Sequence, residues 1–153
     1  MDIRKAENTK NDCDLVFSLS NDSLVRVNSF STKPIEYDSH CNWYKRTVSD
    51  NNTLFFLVFD NNDFVGQIRF NREAENSKSC IISLSITEPF RGKHISSDFL
   101  MLGINELHCS WIKIHYIIAE VKKENVSSNK LFEKNGFILL NSEEHNKYKY
   151  QVE

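Results

Sequence analysis

Arg91, Gly92, Lys93 and His94 stand between a strand-like run and a helical pattern, a placement suited to holding phosphate. Glycine at 92 lets the backbone approach a ligand with no Cβ in the way. The first amides of the helix that follows have no internal partners and point outward. The helix dipole adds partial positive charge at the same place. Arg91, Lys93 and His94 add side-chain donors at that mouth, so a pyrophosphate fits the set. Taken alone, one glycine and two basic residues are a weak motif, and an ordinary strand-to-helix corner fits them as well.

The elements around this turn read as two strand–helix units. "SCIISLSIT" (79–87) is a strand whose apolar residues do not alternate cleanly, as expected of one covered on both faces. Residues 94–109 carry Ile95, Phe99, Leu102, Ile104 and Leu107 on a broad helical face. "KIHYIIAEV" (113–121) predicts a second strand, and 126–135 a second helix with Gly136 at its stop. Two such units imply adjacent parallel strands joined by a right-handed crossover. Upstream, Ile3–Ala6 suits a short strand, 11–20 a helix, and "SLVRVNSF" either. A proline-led stretch then places His40, Trp43 and Tyr44 on one helical face. "TLFFLVFD" (53–60) and "FVGQIRF" (64–70) flank "NND" as an antiparallel hairpin. "FILLN" and "YKYQV" are the last strands of a mixed α/β fold.

The totals narrow the function classes. A chain of 153 residues predicts one domain over 1–153. A formal net charge of −2 offers no basic surplus for nucleic acid. No run approaches the roughly 18 apolar residues of a membrane span. "MDIRKAENTKND" has no apolar core segment, so no secretory signal is expected and the cytoplasm is the expected compartment. The four cysteines, at 13, 41, 80 and 109, make no CxxC pair and no zinc pattern. Reduced thiols and no metal are therefore expected. An exposed last strand offers an edge for a homodimer.

A second signal strengthens the phosphate reading. The chain resembles the GNAT family of N-acetyltransferases, whose acetyl-CoA motif reads (Gln/Arg)-x-x-Gly-x-(Gly/Ala), followed by Asn-x-x-Ser and Lys-x-Gly-Phe. Arg91 to Ser96, Asn125-Val126-Ser127-Ser128 and Lys134-Asn135-Gly136-Phe137 occupy these places in the right order. The resemblance covers essentially the whole chain. It implies a mostly antiparallel sheet of 6–7 strands with a splayed parallel pair and about four helices. It also implies acetyl-CoA as cosubstrate and direct acetyl transfer to a primary amine. The cofactor contacts it implies are Leu84, Ser85 and Ile86 at the thioester, the turn Arg91, Gly92, Lys93, His94, Ile95 and Ser96, and Asn125 and Ser128 on the arm. Glu120, on the second splayed strand, is then the best-placed carboxylate to take a proton from the amine.

Three departures stand out. His94 and Ser96 replace the family's usual glycine and Gly or Ala, and Phe132 stands where a tyrosine acid is common. Backbone amides supply most phosphate contacts, so binding is expected to survive. A thiol leaves readily as its anion, and Tyr116 and Tyr148 are alternative acids between which the sequence does not choose.

The N-terminal half resembles one branch of the family, the enzymes that acetylate a nucleotide-linked 4-amino sugar in pseudaminic-acid-type biosynthesis. The shared pattern is Asn21-Asp22, Val25-Arg26, Ser29-Phe30 and His40-x-x-Trp43. It implies Arg26 on a diphosphate, Trp43 or Phe30 stacked on a base or sugar, and Ser29, His40 and Arg69 as further contacts. The competing readings are an N-terminal acetyltransferase for peptides or ribosomal proteins and a non-catalytic CoA-binding module.

Overall fold

Every second side chain of Thr53–Asp60 faces one of two separate cores. Leu54, Phe56 and Val58 enter one core; Phe55 and Leu57 enter the other. The segment is therefore a strand buried on both faces, at the middle of a layered α/β structure. The computed structural model describes residues 1–152. Its strands are β1 (Asp2–Lys5), β2 (Thr53–Asp60), β3 (Asp63–Asn71), β4 (Ser79–Ile86), β5 (Tyr116–Val121), β6 (Ile138–Asn141) and β7 (Asn146–Gln151). The helices are α1 (Lys10–Ser20), α2 (Ser23–Asn28), α3 (Tyr37–Val48), α4 (Ser96–Ser110) and α5 (Val126–Lys134). The short α2 brings the helices to five; it is the segment whose sequence suited helix or strand.

One sheet runs in the order β1-β2-β3-β4-β5-β7-β6, and its parallel pair is β4 with β5. The β2–β3 hairpin turns at Asn61 and Asn62, both at positive φ, 49° and 71°. Asparagine tolerates that region, which a two-residue hairpin turn requires. Helix α4 buries Phe99, Leu100, Ile104 and Leu107 against one face of the sheet. Gly103 lets it come close: a Cβ there would lie 2.6 Å from Ile68 Cδ1. Helices α1 and α3 cover the other face through Val16 and Tyr44. Arg4 on β1 grips Asp12 on α1 with two bonds, 2.7 and 2.8 Å long.

Three expectations need correction. Strand 79–87 is not covered on both faces: Cys80 and Ile82 are buried, but Ser79, Ile81 and Ser83 are exposed. Their face is left open, and of the three Ser83 lines the site. Helix α4 starts at Ser96 rather than 94, because His94 takes a left-handed φ of 60°. The last strand is no edge either. β7 lies inside the sheet between β5 and β6, and β6 carries the exposed edge with Ile138, Leu139 and Leu140.

Candidate active site

The parallel strands separate soon after they meet. Ser79, Cys80 and Ile81 pair with Tyr116, Ile117 and Ile118, and the ladder stops there. Beyond it β4 stays with β3 as far as Ile86, and β5 stays with β7 as far as Val121. The result is a notch whose two inner edges carry unpaired backbone groups. Helix α2 lies near its mouth and is tied to both sides. Asp22, its N-cap, accepts from the amides of Leu24 and Val25 and from Arg91 Nη2 at 2.8 Å. From the β5 side, Lys122 Nζ donates to Val27 O at 2.9 Å. Burial pulls the Asp22 carboxyl upward. Arg91 and the two amides outweigh it and hold the group below the usual carboxylate range.

A groove of about 320 Å³ follows the notch toward the turn. Leu84, Ser85, Ile86, Arg91, Gly92, Ser96, Asn125 and Ser128 line it. Gly92 has φ 70° with no atom within 4 Å of a Cβ position, so the glycine serves backbone conformation rather than space. No side chain caps the N-terminus of α4, which leaves its first amides open to a ligand. Lys93 and His94 are exposed beside the turn, and Ile95 packs against the core. Arg91 has a different task from the expected one. Its Nε donates to Ile86 O at 2.9 Å and its Nη2 to Asp22, so it fixes the turn to α2. Asn125 likewise serves its own helix, accepting from the amide of Ser128 at 3.2 Å. The donors left open here are thus chiefly backbone amides, a set that suits a diphosphate at a helix N-terminus.

A second cavity, of about 500 Å³, opens from the same notch and shares Leu84, Ser85, Asn125 and Ser128 with the groove. Glu120, Arg26, Ser29, Phe30, His40, Trp43 and Arg69 all line it. Seven residues from five elements and loops, far apart in the chain, therefore meet in one place. Glu120 Oε1 lies 3.7 Å from His145 Nε2, and the His145 ring lies 4.8 Å from that of Phe30. Phe30 is 60% exposed, so it is not a core residue.

Two of these side chains differ from expectation. Arg26 spends its donors on the protein: Nε on Ser20 O at 2.6 Å, Nη1 on Ser31 O and Lys33 O, and Nη2 on Ser29 Oγ. It braces the loop after α2 and is poorly free for a diphosphate. His40 is buried, and Nε2 lies 3.0 Å from Cys13 O. A carbonyl only accepts, so Nε2 carries the proton in that contact. Burial lowers the pKa of the ring. Neutral His40 then offers Nδ1 as an acceptor, a poor partner for phosphate.

Neither alternative tyrosine reaches the site. The Tyr148 hydroxyl is buried between Asn129 Oδ1 at 2.7 Å and Glu133 Oε1 at 2.9 Å, and burial pushes it up to about 12. Tyr116 sits at the start of β5 with Lys149 Nζ 3.9 Å from its ring centroid. Phe132 does line the second cavity, without an acid to offer.

Sequence reading missed Gln67, Ser83 and His145. Gln67 was within reach, since it lies two residues from Arg69 and so shares its face of β3. His145 comes from the β6–β7 turn, and only the sheet order brings it to Glu120.

The profile of the acetyltransferase (GNAT) domain matches residues 3–138. The chain belongs to the GNAT acetyltransferase family. Family members use acetyl-CoA, and the notch, turn and groove of this chain fit that cosubstrate. Acetyltransferase PseH of Campylobacter jejuni is 27% identical over 118 residues, 76% of this chain and 72% of that protein. The crystal structure of Campylobacter jejuni N-acetyltransferase PseH superposes with a TM-score of 0.73 at 22% identity, covering 99% of this chain and 98% of that one. Spermidine N-acetyltransferase from Vibrio cholerae, in complex with CoA and spermine, superposes with a TM-score of 0.85 at 18% identity, covering 99% and 95%. At these identities the structural likeness is one of fold. The chain is an N-acetyltransferase, and its acceptor amine must be argued from the cavity. None of its described helices is long and apolar enough to cross a membrane.

Proposed function

We propose that the chain transfers acetyl from acetyl-CoA to the 4-amino group of a nucleotide-linked amino-deoxy sugar. The carrying observation is the acceptor cavity itself: one carboxylate, two arginines and the aromatic rings of Phe30, Trp43 and Phe132 in a space of about 500 Å³ joined to the cofactor groove. That volume falls within the roughly 300–1,000 Å³ of small-molecule sites. PseH relatives and the Asn-Asp, Val-Arg, Ser-Phe and His-x-x-Trp pattern support the same acceptor class.

Each residue has a role that its position allows. Glu120 takes the proton from the acceptor's ammonium, directly or through one water. Backbone groups from Leu84 to Ile86, on the unpaired edge of β4, face the reacting acyl group and stabilise charge that develops on its oxygen. Acetyl-CoA supplies the acyl group as an activated thioester. Gly92, His94 and Ser96 offer amides to its diphosphate, with Lys93 adding charge. Asn125 and Ser128 bound its arm. Trp43 and Phe30 flank the acceptor, with Ser29 and His40 as hydrogen-bonding partners.

The test is thiol release from acetyl-CoA with UDP-4-amino-4,6-dideoxy-N-acetylhexosamines as acceptors, and mass spectrometry of the product. Turnover that is saturable in the sugar, with acetyl on the 4-nitrogen, is expected. Thiol release with peptide N-termini but with none of these sugars refutes the acceptor class. Cofactor binding without thiol release for any amine removes the catalytic reading.

A further inference from the structure

Arg69 is a cation without a counterion among the described residues. It stands on β3 at the cavity wall, with its guanidinium carbon 5.0 Å from the centroid of Trp43 and 5.6 Å from that of Phe55. Its one side-chain bond among the described residues is long, from Nε to Asn71 Oδ1 at 3.4 Å, and no carboxylate oxygen lies within 4.0 Å. Burial pulls it down to about 10, which leaves it charged at neutral pH. Arg69 is half-buried, and a charge drawn out of water is normally paired, because its desolvation is costly.

The neighbouring group is also incomplete. Gln67, two residues away on the same face, donates from Nε2 to Ser85 Oγ at 3.0 Å, while its Oε1 is buried with no donor. The cavity wall thus holds an unpaired cation and an unpaired acceptor side by side. Arg26, the other arginine of the cavity, is spent on backbone carbonyls and Ser29.

We propose that Arg69 anchors an oxyanion carried by the acceptor, a phosphate or a carboxylate, with Gln67 accepting a hydrogen bond from the same molecule. This deepens the acetyl-transfer reading of the site and rests on it. The guanidinium fork suits either oxyanion, and Trp43 and Phe55 hold it in place through their ring faces. The consequence is selectivity. Among the described residues Glu120 is the one carboxylate on the cavity wall, and it is assigned to the reacting amine. A polyamine brings further positive charges, and these meet Arg69 with nothing to neutralise them. The spermidine enzymes share the fold, but this cavity rejects their kind of acceptor.

Calorimetry on the CoA-saturated full chain tests the anchor without turnover. UDP, L-glutamate and spermidine are titrated into wild type, Arg69→Met and Arg69→Lys. The expected result is binding of UDP or of glutamate to wild type, weakened at least tenfold in Arg69→Met and less in Arg69→Lys. Whichever anion binds identifies the source of the oxyanion. CoA affinity unchanged in both variants shows that the fold is intact. The anchor is refuted if neither anion binds wild type, if Arg69→Met binds the anion as well as wild type does, or if spermidine binds more tightly than both anions. Loss of UDP-sugar turnover with intact, Arg69-dependent anion binding is a different outcome: it removes the proposed acceptor and leaves the anchor standing.

Discussion

The groove and the cavity share a wall but are built from different material. The groove takes its donors from backbone amides at one turn and one notch, supplied by elements adjacent in sequence. The cavity takes its chemistry from side chains on α1, α2 and its following loop, α3, β3 and β5. A backbone site tolerates side-chain change, because any residue that can adopt the conformation supplies the same N–H. A side-chain site has no such tolerance. This explains how His94 can replace a glycine at the turn while the cavity depends on particular groups.

Substitutions can break or sharpen this contrast. The largest effect is expected at Glu120. Glu120→Gln keeps the shape of the cavity and removes the base, so kcat falls about 10²–10³-fold while acetyl-CoA affinity holds. Stopped assays of thiol release beside calorimetry separate the two, and a kcat within threefold of wild type denies Glu120 its role.

Next comes the turn. His94→Pro cannot reach φ 60° and loses its amide, so acetyl-CoA affinity falls more than about tenfold. His94→Gly keeps the conformation and the amide and stays within about threefold. Equal losses in both variants mean that the imidazole, not the backbone, holds the ligand.

Trp43→Ala is a smaller step on the cavity side. It removes a stacking face for the acceptor and the ring beneath Arg69, so the acceptor KM rises about tenfold, with acetyl-CoA KM unchanged. Steady-state kinetics with each substrate varied in turn decide it.

The smallest effect concerns the bridge between the two regions. The Asp22 pKa is depressed in the folded state, so the pair with Arg91 stabilises the fold above the unfolded value of about 3.9. That contribution, about 1 kcal/mol or less for a partly exposed pair, is lost as pH falls through the lower folded value. Melting curves from pH 7 to pH 3 should therefore show a steeper acid loss for wild type than for Asp22→Asn. Parallel curves would mean that the pair adds no stability.

The same contrast governs what the sequence revealed. The βα units, the hairpin and the turn were legible because each is a local pattern of a few residues. The place of Glu120 on the second parallel strand was legible once the order of strands was inferred. The tasks of Arg26 and Arg91 were not, since an arginine's type does not say which carbonyl or carboxylate it finds. Ser20, Ser31 and Lys33 meet Arg26 only after the loop closes, and Asp22 meets Arg91 across 69 positions. The Cys13 and Cys41 sulfurs, 3.7 Å apart, are a similar case: helices α1 and α3 bring together what their spacing keeps apart.

The notch has a consequence for the motion of the sheet. Within the sheet, the slab β1–β4 and the slab β5–β7 touch only along Ser79–Ile81 and Tyr116–Ile118. The inner amides beyond those residues lack ladder partners, so they exchange with deuterium from the native state, without unfolding. The amides between β2 and β3 exchange only when the whole sheet opens. A ligand seated in the notch acts as a missing rung. It slows exchange along β4 beyond Ile81 and along β5 beyond Ile118, and leaves the hairpin's slow amides nearly as they were.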